Sequence, residues 1–180
     1  MYAAISVGVV IVALAIFFVY SSDQAKERGK AFGKAVEFVQ DDLRKLTHSF
    51  DSKVSMFKQG NISKGEFLEF TEKYVNAKSY VQYDDGEQVT QFRWFSYEEE
   101  MEKIILRYDN LQIPQPFVSA VELFKLSAET QLESDKHMIE WVRTGDDMAH
   151  IRSDSLLQQS FEYEMAALSE FKLAQGQTNT

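Results

Sequence analysis

The stretch Tyr2–Tyr20, YAAISVGVVIVALAIFFVY, contains no charged residue. As a helix it would measure about 28 Å, close to the hydrocarbon thickness of a bilayer. A tyrosine closes each end, and Phe17 and Phe18 sit near the second. Amphipathic aromatic rings favour the headgroup boundary. The stretch has no polar face, which a helix on the surface of a water-soluble core would need. The sequence therefore predicts a single transmembrane helix over 2–20. The rival is a cleaved signal peptide, with Val19-Tyr20-Ser21 as a passable cleavage site. That reading lacks a basic n-region, and its apolar run is too long for the type.

The charges that follow set the orientation. Lys26, Arg28, Lys30 and Lys34 stand against Glu27, and no basic residue precedes the span. A basic juxtamembrane segment over 21–34 faces lipid headgroups. The positive-inside rule then places the rest of the chain in the cytoplasm, at the cell membrane, with the extracytoplasmic side as the alternative. Across all 180 residues, 19 Lys and Arg face 28 Asp and Glu, a net charge of -9. Such a surface repels phosphate backbones, so no nucleic-acid partner is expected. There is no cysteine, which removes disulfides, thiolate metal sites and cysteine nucleophiles.

Beyond the span, apolar residues recur at helical spacing. Phe32, Val36, Val39, Leu43, Leu46, Phe50 and Phe57 form a heptad-like seam on a helix from about residue 23 to 59. No proline separates this helix from the membrane span, so the two can form one rod. Gly60 stands where a C-cap glycine would. Ser63-x-x-Glu66 and Ser96-x-x-Glu99 read as capping boxes. The first opens a helix carrying Phe67, Phe70, Tyr74, Ala77 and Val81, broken at Asp84-Asp85-Gly86. The second opens one carrying Met101, Ile104, Ile105, Tyr108 and Leu111, with Val89 to Phe95 read as an earlier turn of it and, as the alternative, an extended approach to it.

Pro114 and Pro116 punctuate the chain before a fourth helix. That helix runs from about Phe117 to Arg143, on Phe117, Val121, Phe124, Ala128, Leu132, Ile139 and Val142. Gly145 closes it, and Asp146 or Asp147 caps the fifth. The fifth runs to about Ala174 on Ile151, Leu157, Phe161, Met165, Leu168 and Phe171. A polar tail over 176–180 is expected to be disordered. The expected architecture is all-α: an N-terminal transmembrane helix, then an antiparallel helical bundle over 23–175. The bundle has about five helices, of which four form the core.

Catalytic motifs are missing. There is no G-x-S-x-G, no dinucleotide fingerprint and no P-loop. A bundle metal site needs paired Glu-x-x-His motifs, and only Asp147-x-x-His150 comes near, with Glu133 and His137 one turn apart. Ser134-Asp135-Lys136 and Ser153-Asp154-Ser155 read as exposed helix-face residues. The run Phe92-Arg93-Trp94-Phe95-Ser96-Tyr97 places four aromatics in six residues, either packed in the core or offered to a partner.

The function that best fits is non-enzymatic. The chain would be a membrane-anchored accessory or scaffold protein that binds a partner protein or associates with itself. No small-molecule substrate, cofactor, metal or catalytic residue is expected. The first alternative is an anchored sensor or ligand-binding bundle, which needs a pocket between helices. The second is a bundle metalloenzyme using His137, Asp147 and His150.

Overall fold

A computed structural model describes the backbone over residues 2–84 and 87–178, and the side chains over 27–75 and 94–177. The expected membrane span at 2–20, the first basic residue Lys26 and the ring of Phe92 lie outside the described side chains. Among the described residues no helix is long and apolar enough to cross a membrane.

The structure is mostly helical. Helix α1 runs unbroken from Tyr2 to Lys58. Its heptad seam is the spine of the core: Phe32, Val36, Val39, Leu43, Leu46 and Phe50 are all buried, and Phe57 is half-buried. Gly60 follows with φ of 73°, a left-handed conformation that glycine adopts without a Cβ clash. Helix α2 (Lys64–Glu72) starts at the first capping box. The Ser63 hydroxyl accepts from the Glu66 N–H, and the Glu66 carboxylate accepts from the Ser63 N–H at 2.7 Å. Helix α3 (Tyr97–Ile105) starts at the second box, built the same way from Ser96 and Glu99.

The segment between α2 and α3 corrects two expectations. Helix α2 stops at Glu72, so Ala77 and Val81 are not helical. Val75–Asp84 and Glu87–Phe95 instead form strands β1 and β2, paired antiparallel from Val75 opposite Phe95 to Asp84 opposite Glu87, with an irregularity between Ala77 and Tyr80. The physical reason is composition. In the sequence Tyr80, Val81 and Tyr83 precede an Asp-Gly dipeptide and Val89, Thr90, Phe92 and Trp94 follow it, and all seven are β-formers. The strand pair is tied to the helices at its base, where the Tyr74 N–H donates to the Phe95 carbonyl at 2.9 Å.

Two short 3-10 turns, Tyr108–Asn110 and Gln115–Phe117, lead into helix α4 (Val118–Thr144). Gly145, with φ of 78°, turns the chain, and helix α5 (Asp147–Thr178) returns against α4. The Asp146 carboxylate caps α5 by accepting from the Met148 N–H at 3.0 Å. Helix α5 extends to Thr178, past Ala174, and residues 179 and 180 are outside the description. Gly145→Ala is expected to cost about 1–2 kcal/mol, because alanine resists the left-handed region. Urea unfolding would measure it.

Aromatic clusters close the core at both ends. At one end Phe117 touches Phe32 and Phe171, tying the start of α4 to α1 and α5. At the other, Phe50 contacts Phe67 and stacks on Tyr97 at 4.5 Å, while Phe57 meets Trp141 edge-on. Phe32 lies against Phe117 and Phe57 against Trp141, so α1 and α4 run in the same direction.

The α4–α5 pairing overturns the expected apolar face of α5. Ile151, Phe161 and Met165 are exposed, and Leu157 and Leu168 are half-buried; only Phe171 of the expected set is buried. The buried row is instead Ser153, Ser160, Ala167 and Ala174, spaced by seven. It meets Ala120, Ser127 and Ser134 of α4, also spaced by seven and buried. The Ser134 hydroxyl donates to the Ser153 carbonyl at 2.7 Å, Ser127 to the Ser160 carbonyl at 2.9 Å, and Ser160 back to the Ser127 carbonyl at 3.0 Å. Only small side chains let a hydroxyl reach the backbone of the facing helix. The same rows show Ser134, Asp135 and Ser153 to be buried, against their expected exposure.

Candidate functional site

Two features of the helical body carry chemistry: the outer face of α5 and a cleft beside it. Because the Ser/Ala row takes α5 onto α4, its large apolar residues face outward. At about 100° per residue, Met148, Ile151, Phe161, Met165 and Leu173 fall within an arc of about 140°. All five are exposed, Met165 by 67% of its surface, and Leu126 of α4 is exposed as well. A helix that turns Phe, Met, Ile and Leu to water keeps roughly 25 cal/mol in hand for each Å² a partner covers.

The cleft lies between α1 and α5, over α4, with a volume of about 340 Å³. Residues one to three turns apart put Gln40, Leu43, Arg44, Thr47 and Asp51 of α1 along one wall. Helix α5 supplies Leu157, Phe161 and Glu164, α4 supplies Phe124, Ala128 and Gln131, and Met101 of α3 completes the floor.

A buried polar pair backs one end. Tyr97, fully buried, donates its hydroxyl to the Asp135 carboxylate at 2.7 Å, and the Gln131 amide donates to the other oxygen at 2.8 Å. Asp135 is 3% exposed, and this burial outweighs the two hydrogen bonds, raising its pKa from 3.8 to about 7. Burial and the neighbouring Asp135 carboxylate push the Tyr97 phenol well above its ordinary value. Asp51, on the cleft wall, is also raised by partial loss of water, opposed by His48. At the other end the Gln40 amide donates to the Tyr108 hydroxyl, whose pKa burial raises. The Arg107 guanidinium, 2.7 Å from Asp42, holds that carboxyl below its usual value and fastens the loop after α3 to α1.

The residues of the metal alternative do not converge. His137 pairs with Glu140 at 3.1 Å on its own helix. His150 lies 3.7 Å from Asp154 and packs its ring on Trp141, centroids 4.5 Å apart, with Nε2 buried and without a hydrogen-bond partner. Asp147 is exposed at the start of α5. Among the described residues no group of three or more His, Asp or Glu could hold a metal ion. The aromatic run divides: Tyr97 is core, Phe95 is half-buried with the Lys103 ammonium 3.2 Å over its ring, and Trp94 is 49% exposed.

Sequence reasoning missed Gln131, Asp135 and Asp51. Asp135 was legible only through its neighbour Ser134, which belongs to the seven-residue Ser/Ala row. Comparison with protein-family models, with curated proteins and with solved structures gives no match.

Proposed function

We propose that this chain is a membrane-anchored accessory protein, without catalysis of its own, that docks a protein partner or a second copy of itself along the outer face of α5. The observation that carries this reading is the exposed strip Met148, Ile151, Phe161, Met165 and Leu173 on a helix whose other side is committed to α4. These five large apolar side chains share one side of α5, where a partner covering them would remove apolar surface from water. The charge-free stretch at 2–20 supports the anchor, and the basic residues that follow support a cytoplasmic domain.

A photo-crosslinking residue at position 165, in membranes washed with carbonate, tests anchor and docking together. The full-length chain is expected to stay with the membrane and to give a discrete adduct, at twice its own mass if the partner is a second copy. Phe161→Glu in the same chain is expected to abolish the adduct while the helical circular-dichroism signal is unchanged, because Phe161 is exposed. A protein released by the wash would remove the anchor. An intact membrane protein that gives no adduct from position 165 would remove the docking face.

A further inference from the structure

Helix α5 turns two thioethers outward. The chain has six methionines and no cysteine. Met1 lies outside the described side chains. Met101 and Met138 are buried in the core, and Met56 is half-buried. Met148 and Met165 are 54% and 67% exposed, and both belong to the outer strip of α5. A small reagent dissolved in water therefore meets these two sulfurs before the buried ones.

With thiols absent, a thioether is the side chain most readily oxidised by a peroxide. The step transfers one oxygen atom. The peroxide O–O bond breaks and an S–O bond forms; the sulfur gives up two electrons, and hydrogen peroxide leaves as water. The product is a sulfoxide, polar and chiral where the thioether was apolar and pliant. In water its oxygen is hydrogen-bonded. Covered by an apolar partner it would lose those bonds, which is costly. Met165 stands one turn beyond Phe161 on the same side of the helix, so its oxygen would enter the strip beside the largest ring on it. The fold does not depend on either methionine, because α5 is held to α4 through Ser153, Ser160, Ala167 and Ala174.

We propose that Met148 and Met165 form a reversible oxidation site for small hydroperoxides, and that their conversion to sulfoxides releases the partner from α5. The site rests on the docking reading given above and adds its regulation. Partner and oxidant compete for the same surface: a docked partner covers both sulfurs, and an oxidised strip docks poorly. Methionine sulfoxide reductase, with thiols as electron source, removes the oxygen as water and restores the strip.

The test uses the purified full-length chain in detergent, carrying a photo-crosslinking residue in place of Gln158, which is exposed on the same side of α5. The chain is treated with graded hydrogen peroxide, freed of it by desalting, and returned to membranes from cells that lack the chain, so that the partner never meets the oxidant. Peptide mass spectrometry is expected to show sulfoxide at Met148 and Met165 forming more than about tenfold faster than at Met101 and Met138, whose sulfurs become reachable only when the fold opens. At the dose that converts the outer pair alone, the adduct should fall on the order of tenfold. The circular-dichroism signal and the urea midpoint should not move. Methionine sulfoxide reductase should bring the adduct back. Equal oxidation of buried and exposed methionines, or an adduct that persists once both outer residues are sulfoxides, would overturn the proposal and leave docking intact. An untreated chain that gives no adduct would remove the docking face, and the oxidation site would fall with it.

Discussion

Asp135→Asn is expected to stabilise the bundle above neutral pH and to leave it unchanged below about pH 3. The unfolded carboxyl titrates near 3.8 and the folded one near 7. Below about pH 3 both states hold the proton, and the native state bears no cost. Between the two values the native state binds more protons than the unfolded one, so stability falls as pH rises. Above about pH 7.5 both are ionised and the full cost is present, about 4 kcal/mol at most. Asparagine has no such titration. Its carbonyl can still accept from the Tyr97 hydroxyl, and its amide can donate to Gln131 once that amide turns its oxygen inward. A gain of about 2 kcal/mol over wild type at pH 8.5, shrinking steadily toward pH 4, is the expected result of urea unfolding at each pH. Parallel pH profiles would show that Asp135 does not carry this burden. Asp135→Ala should behave in the opposite way and destabilise at every pH, because it leaves a buried phenol without an acceptor.

Ala167→Leu should be the most damaging of the conservative apolar substitutions on α5. Ala167 is fully buried in the row that faces α4, and the Ser127–Ser160 hydrogen bonds one heptad away fix how close the two backbones lie. Three added carbons have nowhere to go without separating the helices. Overpacking of this kind costs about 1–3 kcal/mol, and the broken seam hydrogen bonds add to it. A loss of about 3 kcal/mol is expected from denaturant midpoints, against less than about 0.5 kcal/mol for Met165→Leu two residues away, where water is the neighbour. Equal effects at the two positions would contradict the packing described for α5.

These two sites also mark where the sequence was hard to read. The α1 seam, both capping boxes and the buried face of α4 were legible, because each rests on large apolar residues or on local chemistry. Helix α5 was not. Counting large apolar side chains selects Ile151, Phe161 and Met165, whereas close helix pairing is recorded in Ser153, Ser160, Ala167 and Ala174. Hydropathy gives a serine no credit for letting two backbones approach. The β1–β2 pair was misread for a related reason: Ala77 and Val81 continue a helical spacing begun by Phe67 and Phe70, and that pattern hid the strand-forming composition. Asp135 looked like one member of a polar triplet. Its burial follows from Ser134 belonging to the seam, a relation that shows only when α4 and α5 are aligned against each other.

Helix α1 runs from Tyr2 to Lys58 without a break, about 86 Å of rod if straight. A single helix carries a push along its length more directly than two helices joined by a loop would. The wall from Gln40 to Asp51 is part of that rod. The continuity of one helix thus places the first residues of the chain and the core seam that ends at Phe50 on a single axis.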